Sequence, residues 1–264
     1  MVDVAEWGPF TPPAALRRRE VFGWLGYVQA VGPRVPAVDA RRSAPVPVLT
    51  VPGFLAGDWS MIPLARHLRR SGHATFTSGM ALNSGCTEMH LELLERRLQQ
   101  VVDEAGRPVA LVGQSRGGTL CRMLAVRRPE LLAGVVTLAS PLLHQLAATR
   151  ALISQVKLMA RLNVCAWPWL LSTDCLTGGC AERTSALLES PWPTGLPFVS
   201  MYSRQDGVVD WRSCLDPAAE HVEVGSTHNG MGTDRHVQRL LAARLRTFGA
   251  DRSAPTGWPG EADQ

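Results

Sequence analysis

The order of short apolar runs and helical patterns constrains this chain more than any other feature. Runs of β-branched and aliphatic residues at Val46–Val51, His73–Thr77, Pro108–Gly113, Gly134–Ala139, Pro197–Tyr202 and His221–Val224 alternate with helical patterns at Ser60–Arg70, Thr87–Glu104, Gly117–Val126 and Arg235–Phe248. Strands joined through helices run parallel, and a parallel sheet needs helices on both faces to bury it. The expectation is an α/β fold, and 264 residues accommodate one such domain with additions.

The alternation breaks once, between Ser140 and Leu196. Helical patterns at Leu142–Arg161, at Val164–Leu171 with Trp167 and Trp169, and at Ala181–Leu188 stand there without a convincing strand. An insertion between two sheet strands, rich in tryptophan, reads as a helical cap over residues 141–196, above the strand ends where α/β proteins bind ligands. Residues 1–44 hold a helical pattern over Pro13–Ala30 and a Pro- and Arg-rich connector; 45–248 form the body, and 249–264 read as a frayed tail.

Composition excludes several classes. Hydrophobic residues make up 45% and charged ones 19%, so the chain carries too much apolar surface to stay disordered. The net charge of +4 is too small to argue for nucleic acid as a partner, and the arginines are dispersed as pairs such as Arg69-Arg70 and Arg127-Arg128. The N-terminus does not read as a signal peptide, and the longest nearly apolar stretch, Leu131–Leu143, is too short to span a bilayer. The expectation is a cytoplasmic protein with reduced cysteines and no stable membrane span. Cys175 and Cys180 form a Cys-x4-Cys pair in a Gly-rich turn. No second pair or nearby His completes a four-ligand zinc site in the sequence, so the pair reads as free thiols or a local disulfide. Neither a metal nor an organic cofactor is implied.

Gly113-Gln114-Ser115-Arg116-Gly117 matches G-x-S-x-G between an apolar run and a helical run, which puts Ser115 at a strand-to-helix turn. Such a glycine-rich turn could instead cradle phosphate, but the Lys-Ser/Thr that phosphate loops require is missing. A serine hydroxyl needs an imidazole base, itself oriented by a carboxylate. Asp206 falls in the turn after the run ending at Tyr202, and His228 falls in the glycine-flanked loop before the last helix. The order Ser, Asp, His fits nucleophilic catalysis on a parallel sheet. Asp210 is the competing acid, farther from the strand end. Asp58 reads as a loop cap, and His67, His73, His90, His144, His221 and His236 as packing or surface residues.

On these residues the sequence resembles α/β-hydrolases of the lipase and esterase type, in particular bacterial members with a PVLxxPGF strand and loop (here Pro47–Phe54), a G-x-S-x-G elbow and a YSRxDGVVDW segment (Tyr202–Trp211). The resemblance covers roughly residues 45–248. It implies an α/β-hydrolase fold with Ser115 as nucleophile, His228 as base, Asp206 as its carboxylate, and the backbone N–H groups of Phe54 and Arg116 as the oxyanion hole. The chain departs from common lipase patterns at Pro52, Gln114 and Arg116. A charged Arg116 beside the nucleophile and Arg204 near the acid turn could attract an acidic acyl group; alternatively both pair with acids elsewhere. Trp59, Trp167 and Trp169 are candidates to line an acyl pocket, with Trp192 and Trp211, although for each a core role is as good a reading.

The function implied is hydrolysis of a small-molecule carboxylic ester or thioester. An acyltransferase or cyclising thioesterase would use the same residues, and a noncatalytic binding protein would not need them. Serine in place of aspartate at 115 argues against dehalogenase or epoxide-hydrolase chemistry.

Overall fold

The computed structural model describes residues 10–29, 38–41, 45–144, 147–163 and 170–248. Trp167 and Trp169 and the expected tail at 249–264 lie outside these residues.

Six strands, β1 (Val48–Val51), β2 (Thr75–Thr77), β3 (Val109–Gln114), β4 (Leu132–Leu138), β5 (Phe198–Tyr202) and β6 (Glu220–Glu223), form one sheet in the order β2-β1-β3-β4-β5-β6. Every neighbouring pair is parallel. β1, β3, β4 and β5 are buried at every position, whereas the edge strands β2 and β6 are largely half-buried or exposed. This is why continuous apolar runs mark the centre and mixed runs mark the edges.

Successive side chains of one strand enter opposite layers. Val48, Ala110, Val112 and Val136 pack with Leu64 and Leu68 of α2 (Ile62–Arg70) and with Val237, Leu241 and Leu245 of α8 (Arg235–Thr247). Leu49, Val51, Leu111 and Val135 face the other way, onto Leu91, Leu94 and Leu98 of α3 (Thr87–Ala105) and Leu120 and Leu124 of α4 (Arg116–Arg127). Each fully buried Leu or Val stabilises the fold by about 1.5–3 kcal/mol.

The chain runs from β1 outward to β2, then returns across β1 to β3 and continues to the opposite edge. The order reverses between β1 and β3, and in open parallel sheets the crevice at the C-terminal ends of such strands is the ligand site. The segments leaving those two ends are Pro52-Gly53-Phe54 and Ser115.

Between β4 and β5 the described residues hold α5 (Arg150–Leu162), α6 (Asp174–Thr177) and α7 (Gly179–Glu189). The helix expected from Leu142 starts eight residues later. Leu142 and Leu143 donate their N–H groups to Ser213 O at 2.8 and 3.0 Å, Thr149 donates to Val208 O at 2.9 Å, and Ala148 bridges Val209. Those N–H groups are committed to the acid-bearing loop and are not free to open a helix. A buried ion pair anchors the far end: Arg122 Nε meets Asp216 Oδ2 at 2.8 Å, and the same guanidinium donates to the carbonyls of Leu187 and Ser190. The expected N-terminal helix is present as α1 (Ala14–Gln29). Among the described residues no helix is long and apolar enough to cross a membrane.

Candidate active site

Ser115 follows β3 directly and precedes α4 with φ 51° and ψ −125°, a conformation that non-glycine residues rarely adopt. The flanking glycines make the turn possible. A Cβ at Gly113 would stand 2.5 Å from Gly117 C and Gly118 N, and one at Gly117 would stand 2.4 Å from Val51 O. The backbones of the turn, α4 and the end of β1 therefore touch without side chains between them, which is the physical content of G-x-S-x-G.

Asp206 and His228 meet in the loops after β5 and β6. His228 Nδ1 lies 2.7 Å from Asp206 Oδ2, with both side chains buried. Asp206 Oδ1 accepts the N–H groups of Val208 and Val209, each at 2.8 Å, so the carboxylate is held by its own turn. Burial works to lower the His228 pKa, but the charge and hydrogen bond of Asp206, assisted by Glu20, prevail and raise it above the ordinary value. Gln114 Nε2 donates to His228 O at 3.0 Å, tying the histidine loop to the residue before Ser115.

Glu20 of α1 was not a candidate on sequence. It is buried, and its carboxylate accepts three backbone N–H groups: Gly207 and His228 at Oε1, both at 2.8 Å, and Asn229 at Oε2, at 2.9 Å. One side chain thus clamps the acid turn to the histidine loop. Close approach of α1 depends on two glycines. A Cβ at Gly207 would meet Glu20 Cγ at 2.9 Å, and one at Gly23 would meet Thr227 Oγ1 at 2.9 Å. A lone Glu in an Arg-rich helix gives no periodic signal; the only sequence hint is the pairing of glycines that admit it.

The loop after β1 is pinned by Asn83, which is also buried. Asn83 Nδ2 donates to Pro52 O at 2.8 Å, Leu55 N donates to Asn83 O at 3.1 Å, and Asn83 N donates to Ala56 O at 2.7 Å. Arg116 Nη1 in turn donates to Asn83 Oδ1 at 2.7 Å, while Nη2 reaches Gly85 O at 2.7 Å and Thr87 Oγ1 at 3.2 Å. Burial draws this guanidinium down to about 10, so it remains charged at neutral pH. Among the described residues, the backbone N–H groups of Phe54 and Arg116 have no acceptor within the protein.

Comparison with known proteins agrees with the fold. A family model described as the alpha/beta hydrolase fold matches residues 46–163. The mature Bacillus licheniformis lipase BlEst2 superposes with a TM-score of 0.61 at 14% identity, covering 80% of this chain and 96% of that one. A soluble variant of monoglyceride lipase from Saccharomyces cerevisiae gives 0.56 at 13% identity, over 81% of this chain and 88% of that one. The thioesterase domain from the curacin biosynthetic pathway gives 0.50 at 16%, over 77% and 91%. No curated protein sequence matches this one.

The fold is that of the α/β-hydrolases.

Within this α/β-hydrolase fold the other residues weighed on sequence have definite partners. Arg204 is exposed, pairs with Glu223 at 3.2 Å and covers the Trp211 ring at 4.6 Å. Trp211 stacks on Tyr202 and lies between Arg204 and Arg212, and Trp192 stacks on Phe198 at 4.1 Å, so both are packing residues. Arg116 is part-buried and its hydrogen bonds among the described residues go to neutral oxygens, so the expected pairing with a nearby carboxylate is not what holds it. Trp59 is 48% exposed on the 3-10 turn Asp58–Met61. Asp58 accepts from Ser78 N and Oγ and from Gly79 N, as a loop cap does, and Asp210 caps the 3-10 turn Trp211–Cys214 through Arg212 N. His90 packs on Asn83 Oδ1 at 3.0 Å and is held neutral, its pKa lowered to about 4 by burial and by Arg116. Cys175 and Cys180 are free thiols.

Proposed function

We propose that this α/β-hydrolase-fold protein is a serine hydrolase that cleaves a carboxylic ester or thioester through an acyl-enzyme on Ser115. The observation that carries the reading is the His228–Asp206 pair at 2.7 Å, tied through Gln114 to the turn that holds Ser115 at φ 51°.

His228, fixed at Nδ1 by Asp206, presents Nε2 as the base that takes the Ser115 proton as Oγ attacks the substrate carbonyl. The N–H groups of Phe54 and Arg116 receive the negative oxygen of the tetrahedral intermediate; one such donor is worth about 3–4 kcal/mol. The imidazolium then protonates the departing alcohol or thiol, and water releases the acyl group by the same steps in reverse. In this mechanism the charged head of Arg116 stabilises the loop carrying Phe54, while its backbone N–H serves the oxyanion. The β4–β5 insertion acts as the cap, a reading supported by Leu171 N donating to Ser84 O beside the Asn83 clamp.

A panel of acyl esters and thioesters of varied chain length, assayed beside Ser115→Ala, tests the proposal. Turnover should vanish in the variant, and a fluorophosphonate should label Ser115 alone. Equal turnover by wild type and variant across the panel would overturn it. Diversion of acyl groups to added alcohols or amines would reassign the centre to acyl transfer.

A further inference from the structure

Apart from the Ser115 centre, Cys86, Cys175 and Cys180 bring their sulfurs within 4.8 Å of one another, and the Cys86 and Cys180 sulfurs are 3.6 Å apart. The sequence set zinc aside because the third thiol comes from Cys86, 94 positions before Cys180. Three further features converge on the cluster. The backbone N–H groups of Thr87, Glu88 and Met89, in the first turn of α3, favour the thiolate forms of Cys175, Cys180 and Cys86. Ser172 Oγ lies 3.6 Å from Cys175 Sγ. The Arg116 guanidinium is charged and part-buried, yet every hydrogen-bond partner it has is a neutral oxygen on Asn83, Gly85 or Thr87, and the three cysteines are the groups whose charge bears on it. A shielded cation without an anion is costly.

We propose that Cys86, Cys175 and Cys180 form a three-thiolate site for a thiophilic divalent cation of the zinc class. Zinc–sulfur bonds of about 2.3 Å in tetrahedral geometry separate sulfurs by about 3.8 Å, close to the spacing of the Cys86–Cys180 pair. Binding replaces three S–H bonds by three metal–sulfur bonds and passes three protons to the buffer. Three thiolates and a dication leave one negative charge, which Arg116 balances, and N–H groups that favour thiolate are the outer contacts such a site requires. The cation would join the start of α3 to α6 and α7 of the β4–β5 insertion and set its charge against the guanidinium that holds the Asn83 loop.

The reduced full-length protein titrated with Co2+ should bind one ion per chain with sulfur-to-cobalt charge-transfer absorption, which Zn2+ displaces. The band should be lost in Cys175→Ser and in Cys180→Ser and kept in Cys214→Ala, with folding checked by circular dichroism. A measurement that needs no variant accompanies it: Zn2+ should suppress alkylation of Cys86 and Cys175 in the wild type, read by mass spectrometry. Folded, reduced protein without the band, a band that survives both serine substitutions, or alkylation indifferent to Zn2+ overturns the proposal.

Discussion

Two charged side chains order the loops beside the turn at Ser115, and they do so by opposite chemistry. Glu20 reaches in from α1 and gathers three backbone N–H groups of the acid turn and the histidine loop. Arg116 reaches from the start of α4 to the carbonyl and amide oxygens of the loop after β1. An anion collects donors and a cation collects acceptors, so each loop is ordered by the charge complementary to the backbone groups it leaves unpaired. The Glu20 side tunes a titrating group, because its negative charge lies close enough to His228 to help raise the imidazole pKa. The Arg116 side orders its loop through hydrogen bonds to neutral oxygens and bears on no group of the acid turn or the histidine loop.

Substitution should tell the two apart. Arg116→Met keeps the backbone N–H but leaves Gly85 O and one face of Asn83 without a donor, at about 1–3 kcal/mol for each buried acceptor. Thermal unfolding should fall by several degrees. If the loop holding Phe54 loosens, kcat/KM should fall on the order of 100-fold with an unchanged pH profile; a profile that moves would mean that Arg116 acts on His228 after all.

Glu20→Gln should have a smaller effect on rate, about tenfold, and a different signature. In the proposed mechanism His228 serves as the base only when neutral, so activity should be lost as pH falls through its raised pKa. Removing the negative charge of Glu20 lowers that pKa, and the acid limb of kcat/KM should shift to lower pH. The same shift bears on stability. A raised folded pKa contributes stability that is fully present below the unfolded value and is lost as pH rises through the folded one, so the variant should lose stability mainly on the acid side. An unmoved acid limb would reduce Glu20 to a structural clamp.

Arg204→Ala should do least. Its pair with Glu223 is exposed, so stability should change by no more than about 0.5 kcal/mol, and the preference between acidic and neutral acyl chains should stay as in the wild type. Loss of a preference for acidic chains would return Arg204 to the substrate site.

The strands, the order of helices and the strand-to-helix turn at Ser115 were legible because each is a local property. Continuous apolar runs and period-3.6 patterns mark the elements, and Gly113 and Gly117 mark a turn whose close backbone contacts admit no side chain. Asp206 and His228 were legible for a related reason: both follow strands, and neighbouring parallel strands deliver their C-terminal loops to one edge of the sheet. The start of α5 was misread because amphipathic spacing continues through residues whose N–H groups are taken by Ser213 and Val208, a competition that local pattern does not record.

The sequence by itself therefore determined a parallel α/β sheet and the strand ends from which Ser115, Asp206 and His228 project. Only the tertiary structure decided that Glu20, 208 positions before His228, completes the histidine loop, that Arg116 is held by neutral oxygens instead of a carboxylate, and that Cys86 joins Cys175 and Cys180. Periodicity is written residue by residue along the chain. Which distant side chain satisfies an unpaired N–H, carbonyl or charge depends on what the folded layers bring within about 3 Å of it.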